Sequence, residues 1–317
     1  MRFGTASART TPANRTGPEV KPNLFIVGAG KAGTSALYYY LGQHPDVYMS
    51  RMKEPNYFGA DLQFRRWRTT EEQYLFLFRD AGGRKYRGEA SVSYLLSATA
   101  ASEIRAYSPD AKIIIIVRNP FEVLQARHVQ NLMVGHETVA RFERALDLEA
   151  ERRRGRRVPK EAPVVDYLYY REWVNYSEQI NRYLQCFPRE QVFIGVYDDL
   201  KRDAAAFYRS VLEFLELPPH SPEFAQVNVR TAAKSYLLQR LLIRKDSMTT
   251  KFFRVLMPSR MVRKLVHGAL LKANVAPDNK KEIAPALRTR LGRELEGEVR
   301  TLGALLGRDL SHWLEAK

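Results

Sequence analysis

The chain has 317 residues, enough for one large domain or two small ones, and 45% of them are hydrophobic, an ordinary share for a globule with a real core. Lysine and arginine outnumber aspartate and glutamate by 51 to 35, and the net charge of +16 suits an anionic ligand, a nucleic acid or an anionic membrane face. A single cysteine, Cys186, excludes an intramolecular disulfide and a cysteine-based zinc site, and fits a reducing compartment.

Residues 1–22 hold Pro, Thr, Arg and Gly and no apolar stretch. They read as a disordered tail rather than a secretory signal or a membrane anchor. The rest, 23–317, shows no internal repeat and no linker, and is expected to form one domain with a helical C-terminal part. "LFIVG" (24–28) is a short apolar run closed by glycine, the pattern of a strand buried on both faces. "TSALYYYLGQHP" follows with Ala36, Leu37, Tyr40 and Leu41 at helical spacing, ended by Gly42 and Pro45, with His44 as a helix-end cap. Further along, 47–50 reads as a short strand, 51–58 as a loop, 71–80 as a helix, 85–95 as a strand running into a turn, and 98–107 as a helix. "AKIIIIVRNP" (111–120) is the second strong strand, followed by a helix over 121–134. Residues 151–165 read as a loop, 166–186 as one long amphipathic helix, and 191–200 as a third buried strand. Helices are expected at 204–217, within 236–272 and over 286–306. Buried strands alternating with helices predict an α/β fold, a central parallel sheet with helices on both faces.

The turn "GAGKAGTS" (28–35) therefore joins a buried strand to a helix N-terminus. Backbone N–H groups there, with the helix dipole, form an anion site. Gly30 and Gly33 admit close approach, Lys31 adds a mobile charge, and Thr34 and Ser35 add hydroxyls. Three ligands compete. A dinucleotide fingerprint matches literally, but its acidic partner would be Glu54, which lies in a loop. A triphosphate loop carries its lysine later and wants a magnesium-binding aspartate at a strand end. The strand "IIIIV" ends in Arg118 instead. The third ligand is a nucleotide with phosphates at two positions, one on the loop and one on Arg118, with no metal.

"VGAGKAGTSALYYYLGQHPDVYM", "KEPNYF", "GEASVSYL" and "VRNPFEVL", in this order, resemble the sulfotransferases that use 3′-phosphoadenosine 5′-phosphosulfate (PAPS), in the heparan-sulfate-type and bacterial carbohydrate branch. The likeness continues through 187–217 to "LLGRDLSHW" (305–313). It implies a P-loop-like three-layer fold and sulfuryl transfer to a hydroxyl or amine of a carbohydrate, glycolipid or other metabolite, without a metal. It further implies that Lys31, Ala32, Gly33, Thr34 and Ser35 grip the 5′-phosphosulfate, with Lys31 on the leaving phosphate. Arg118 would hold the 3′-phosphate, Glu54 would be the general base, and Glu89, Ser91 and Tyr94 would line the acceptor cleft. Lys53 stands beside Glu54 to hold the acceptor or stabilise the carboxylate. Lacking the anchor and disulfides of Golgi relatives, the chain is expected to be bacterial and cytoplasmic.

One departure stands out. The family's serine eight residues after the strand-end arginine, a further 3′-phosphate ligand, is Ala126 here. Arg127, His128 or a backbone N–H is expected to replace it; weaker cofactor binding and a changed cofactor are the alternatives. His128 is also a second candidate base, and Lys234 a candidate to close over the cofactor. Residues 251–272 are basic and amphipathic, with a peripheral contact to an anionic membrane as one reading and packing on the domain as the other. The arginine run at 151–157 reads as a solvated loop. Rival functions are a nucleotide-dependent small-molecule kinase and a non-catalytic anion- or nucleic-acid-binding module. No interleaving of aromatic and basic residues supports a nucleic-acid partner.

Overall fold

The computed structural model describes residues 21–65, 68–225, 231–243, 259–277 and 282–315. Its three strongest apolar runs become β1 (Leu24–Gly28), β4 (Lys112–Val117) and β5 (Val192–Val196), joined by β2 (Val47–Met49) and β3 (Tyr86–Ala90). The isoleucines 113–116 are fully buried, as a strand covered on both faces requires. The five strands pair in the order β2-β3-β1-β4-β5, and every pairing is parallel. The chain leaves β1 for β2 and β3 on one side, then crosses to β4 and β5 on the other. Ligands in such sheets bind beyond the carboxyl ends of the strands, at the reversal.

Around the sheet stand α1 (Thr34–Leu41), α2 (Glu71–Phe76), α3 (Ser93–Leu96), α4 (Ala100–Tyr107), α5 (Pro120–Met133), α6 (Phe142–Asp147), α7 (Glu149–Arg153), α8 (Tyr176–Cys186), α9 (Tyr197–Arg202), α10 (Ala204–Phe214) and α11 (Tyr236–Ile243). A helix Arg260–Ala273 follows, then a long one, Pro285–Leu306. The last helix buries Leu287, Leu291, Leu295, Val299 and Leu302, a stripe at spacings of four and three, and packs on α8. An antiparallel pair, β6 (Thr231–Ala233) with β7 (Val275–Pro277), was not expected; β6 and α11 lie against α5. Most of the expected N-terminal tail, 1–20, and the start of the basic stretch, 251–258, lie outside the described residues.

Three expectations need correcting. The long helix over 166–186 is two 3₁₀ turns, Val165–Leu168 and Tyr170–Val174, followed by α8. The large buried residues Tyr167, Tyr170 and Trp173 recur every third position, the period of a 3₁₀ turn, and the second turn packs against α5. The arginine run is not uniformly solvated, because α7 carries Arg152 into the interior. Its guanidinium lies 2.8 Å from Glu137. Glu137 also accepts the N–H groups of Thr138 (2.8 Å) and Val139 (2.9 Å) and the hydroxyl of Tyr170 (2.9 Å). A third, smaller correction concerns His44: α1 is closed by the Gly42 N–H on the Tyr38 carbonyl, while the His44 ring meets the Pro218 carbonyl and the Asp46 N–H.

Removing one partner of a buried ion pair leaves the other charge uncompensated. Glu137→Ala is therefore expected to lower the unfolding free energy by ~3–5 kcal/mol in urea titrations. A loss within ~0.5 kcal/mol, the range of ordinary surface substitutions, would show that the pair does not hold this face together.

Candidate active site

β1 ends at Gly28, and the Ala29 N–H donates to the Ile116 carbonyl at 2.7 Å, which hooks the following turn onto β4. The turn closes through left-handed residues, Lys31 (φ 69°) and Gly33 (φ 87°). A Cβ on Gly33 would stand 2.6 Å from the Leu200 side chain, so this position takes only glycine. Gly33 is the N-cap of α1 and supplies no side-chain cap. The N–H groups of Thr34 and Ser35 thus open the helix without intrahelical partners, the setting in which a helix start receives an anion. Thr34 is buried and Ser35 half-buried beside them, over the buried Ala32.

Arg118 ends β4 directly below. Its guanidinium donates to the Lys31 carbonyl at 2.7 Å and to the Glu122 carboxylate at 2.8 Å, and lies 4.2 Å from the centre of the Tyr197 ring. Its own carbonyl accepts the Tyr176 hydroxyl at 3.0 Å. Asn119 caps α5 by accepting the Phe121 N–H, with Pro120 at the first helical position. Ala126 stands one helical turn beyond Glu122. Of its two neighbours, His128 is committed elsewhere. His128 is buried, with its ring on the Val139 carbonyl at 2.8 Å and against Phe142 and Tyr170, which also removes it as a base. Arg127 stacks on Trp173, with its guanidinium 3.3 Å from the ring centre, and on Tyr167.

The third part of the site follows β2. The Ser50 N–H donates to the Gly88 carbonyl and the Glu54 N–H to the Ala90 carbonyl, at 2.8 and 2.9 Å, so the chain continues along β3. Glu54 (φ 59°) and Asn56 (φ 50°) adopt left-handed backbone. Such conformations cost on the order of 1–3 kcal/mol each in non-glycine residues and persist only where the surroundings impose them. Here the surroundings are specific. Ser91 accepts the Asn56 N–H at 3.2 Å, the Tyr94 hydroxyl accepts the Tyr57 N–H at 2.9 Å, and Ser93 donates to the Asn56 side chain at 2.6 Å. Glu103 accepts the N–H groups of Gly59 (2.7 Å) and Ala60 (3.0 Å). The Glu54 side chain remains 41% exposed, with the Lys53 ammonium 3.1 Å from its carboxylate.

Glu89 organises this clamp from beneath. Its carboxylate accepts the hydroxyls of Tyr74 (2.7 Å), Ser91 (2.7 Å) and Tyr94 (2.8 Å), two of which hold the 56–58 backbone. Burial pushes the Glu89 carboxyl up to about 7, against those hydroxyls and the charge of Lys53, which favour the ionised form. Glu89 and Tyr94 were expected to line the acceptor cleft. Both are completely buried, so neither presents an atom at a surface, and their place is behind the segment that carries Glu54. The Lys234 N–H is bonded to Asn274 at the β6–β7 pair, and its side chain is exposed. Sequence reasoning did not single out Tyr74, Ser93 or Asn56. The hydroxyls of "GEASVSYL" were the signal available, because Asn56 meets Ser91 and Ser93 across 35 and 37 positions and Tyr74 meets Glu89 across 15.

Comparisons with known proteins show the family and the fold. Residues 21–254 match the family model described as "Sulfotransferase domain". The chain is similar to the human heparan sulfate glucosamine 3-O-sulfotransferase 6, at 33% identity over 115 residues, 35% of this chain and 31% of that protein. It is also similar to the mouse heparan sulfate glucosamine 3-O-sulfotransferase 3B1, at 27% identity over 206 residues, 63% of this chain and 47% of that protein. These matches span less than half the length of either relative. Among solved structures, a sulfotransferase from Alicyclobacillus acidocaldarius superposes with a TM-score of 0.66 at 29% identity, covering 93% of this chain and 100% of that one. The chain belongs to the sulfotransferase family, and its parallel sheet with surrounding helices is the fold of its solved relatives.

Glu89 gives the site a pH signature. Its folded pKa, about 7, lies above the ordinary glutamate value. Its stabilising contribution is complete below the unfolded pKa of ~4.3 and is lost as pH rises through the folded value. Between pH 5 and 8 the protein should lose roughly 2–3 kcal/mol of unfolding free energy that Glu89→Gln does not lose, measured by urea unfolding at each pH. Parallel pH profiles for the two proteins would contradict this assignment.

Proposed function

We propose that the chain transfers the sulfuryl group of PAPS to a hydroxyl, or an amine, of a carbohydrate, glycolipid or other metabolite. The observation that carries this reading is the bond from Arg118 to the Lys31 carbonyl. It joins a cation at the end of β4 to an uncapped helix start at the end of β1. The donors present suit a ligand with phosphates at two positions: first-turn N–H groups, two hydroxyls and Lys31 for one end, and Arg118 for the other. Glu122 already shares the Arg118 charge, and Ala126 offers no hydroxyl, so Arg118 is the main 3′-phosphate ligand in this reading.

The chemistry follows from these roles. PAPS supplies an activated sulfuryl group. As the acceptor oxygen attacks sulfur in line, negative charge grows on the departing 5′-phosphate, where Lys31 and the α1 N–H groups stabilise it. One preorganised donor of this kind is typically worth ~3–4 kcal/mol in the transition state. Glu54, held in place by its own backbone yet open to solvent at its tip, takes the acceptor proton. A positioned base of this kind typically contributes about 10²–10⁴-fold. A depression of about 350 Å³ is lined by Met52, the residue before Lys53 in the chain, with Thr69, Gln73 and Leu77, and supports an acceptor approaching from this side. A sugar hydroxyl as acceptor draws support from the two relatives, whose names specify 3-O-sulfation of glucosamine in heparan sulfate. A peripheral contact with an anionic membrane draws support from the helix Arg260–Ala273. It exposes 73% of Met261 and 66% of Leu265, and its sequence has four Lys or Arg and no acidic residue.

Two substitutions separate the roles. Lys31→Ala is expected to lower sulfate transfer from PAPS by roughly 10²–10³-fold, followed by mass spectrometry on a panel of glycan acceptors. Glu54→Gln should lower it by about 10²–10⁴-fold and leave the affinity for 3′-phosphoadenosine 5′-phosphate within ~3-fold. Full activity in Glu54→Gln would remove Glu54 as the base.

A further inference from the structure

Arg127 has no anionic partner in its hydrogen bonds among the described residues. Its side chain is only 4% exposed, and an arginine stays charged even there. One nitrogen donates to the Gln130 side chain at 3.3 Å. The other two, Nε and Nη2, are buried with no hydrogen-bond partner, and so is Nε1 of Trp173, on whose ring the guanidinium stacks. Buried donors are nearly always satisfied, and an unsatisfied pair on a charged group points to an absent water, ion or ligand. The surroundings indicate which. A Cβ on Gly30 would lie 3.4 Å from Nη2 of Arg127 and 2.8 Å from the Trp173 ring, so the guanidinium faces the phosphate loop at the residue preceding Lys31. Across the site, the carboxylate of Glu54 acts electrostatically on both Arg127 and Tyr167.

We infer that Arg127 is an oxyanion subsite for the sulfuryl group in transit, between the loop that holds the donor and the carboxylate that receives the proton. The inference rests on the donor reading above. In the step itself the acceptor oxygen forms a bond to sulfur as the bond from sulfur to the bridging oxygen breaks. That electron pair stays on the 5′-phosphate, beside Lys31, and the acceptor proton passes to Glu54. Arg127 keeps its free N–H groups on a non-bridging sulfuryl oxygen throughout and undergoes no covalent change. Arg118 is not the candidate here, because the donor reading already assigns it to the 3′-phosphate at the other end of the nucleotide.

Equilibrium binding without acceptor tests this on the full chain, using PAPS and 3′-phosphoadenosine 5′-phosphate, which differ only in the sulfuryl group. Arg127→Gln is expected to weaken PAPS by about 10–100-fold, the worth of a hydrogen bond to a charged group, and the desulfated nucleotide by less than ~3-fold. Arg127→Lys, which keeps the charge but not the planar fork, should fall between, and thermal melting of both variants checks that they are folded. If Arg127→Gln proves unfolded, Arg127→Lys decides, with a selective loss of PAPS over the desulfated nucleotide expected. Equal weakening of both nucleotides would overturn the subsite in favour of a 3′-phosphate or structural role. Unchanged binding of both would overturn it in favour of contact with the acceptor alone. If the wild type binds neither nucleotide, it is the donor reading that fails.

Discussion

Five parallel strands must end on the same edge of a sheet, and everything chemical in this chain hangs on that edge. The order β2-β3-β1-β4-β5 puts β1 where the chain reverses its direction of travel across the sheet. The turn after β1 becomes the anion loop, and Arg118 closes β4 beside it. The Glu89–Ser91–Tyr94 group closes β3, Tyr197 follows β5, and the Glu54 segment runs on from β2. These residues are scattered over 167 positions of sequence, from 31 to 197, and meet because parallel register leaves them no other arrangement. The bond from Arg118 to the Lys31 carbonyl is the clearest sign of that convergence, a side chain from one strand end setting the backbone of another.

Burial supplies the second layer of organisation. A charge taken from water needs a partner or it shifts toward its neutral form. The chain contains each outcome within a short distance. Arg152 and Glu137 satisfy each other and fasten α7 to the segment after α5. Glu89 has three hydroxyl donors yet is still pushed up to about 7, and those hydroxyls in turn hold the backbone bearing Glu54. Arg118 is shared between Glu122 and a carbonyl. Arg127 has no carboxylate partner, and its two unpartnered nitrogens lie beside the phosphate loop. Arg152 and Arg127 are thus told apart by the presence of a carboxylate partner, not by exposure, since both are buried.

Much of this was legible in the residues. β1, β4 and β5 were apparent as unbroken apolar runs, and the helices expected over 204–217 and 286–306 as apolar stripes, because burial on two faces or one leaves those periods in the sequence. The loop Lys31–Ser35, Glu54 and Arg118 were named at the positions where the structure gathers them around one edge. What was missed depends on contacts that periodicity does not encode. A repeat of three in Tyr167, Tyr170 and Trp173 passes for a helical one, so the 3₁₀ turns that bring Trp173 to Arg127 were not foreseen. Glu89 and Tyr94 were picked out as residue types but assigned to a surface, since depth below a segment clamped by long-range bonds is invisible in a linear string. The left-handed backbone of Lys31, Glu54 and Asn56 is equally hidden, because none of the three is glycine.

The central claim is that this edge binds a nucleotide with phosphates at its 3′ and 5′ positions, held by the α1 start and Arg118 without a divalent cation. Isothermal titration of the wild-type chain with 3′-phosphoadenosine 5′-phosphate in the presence of a chelator, against ATP with magnesium and against NAD, tests it most directly. One-to-one binding of the bisphosphate, tighter than either competitor and unchanged by the chelator, is the result that follows from the geometry. No binding of the bisphosphate, or tighter binding of ATP that requires magnesium, would contradict it.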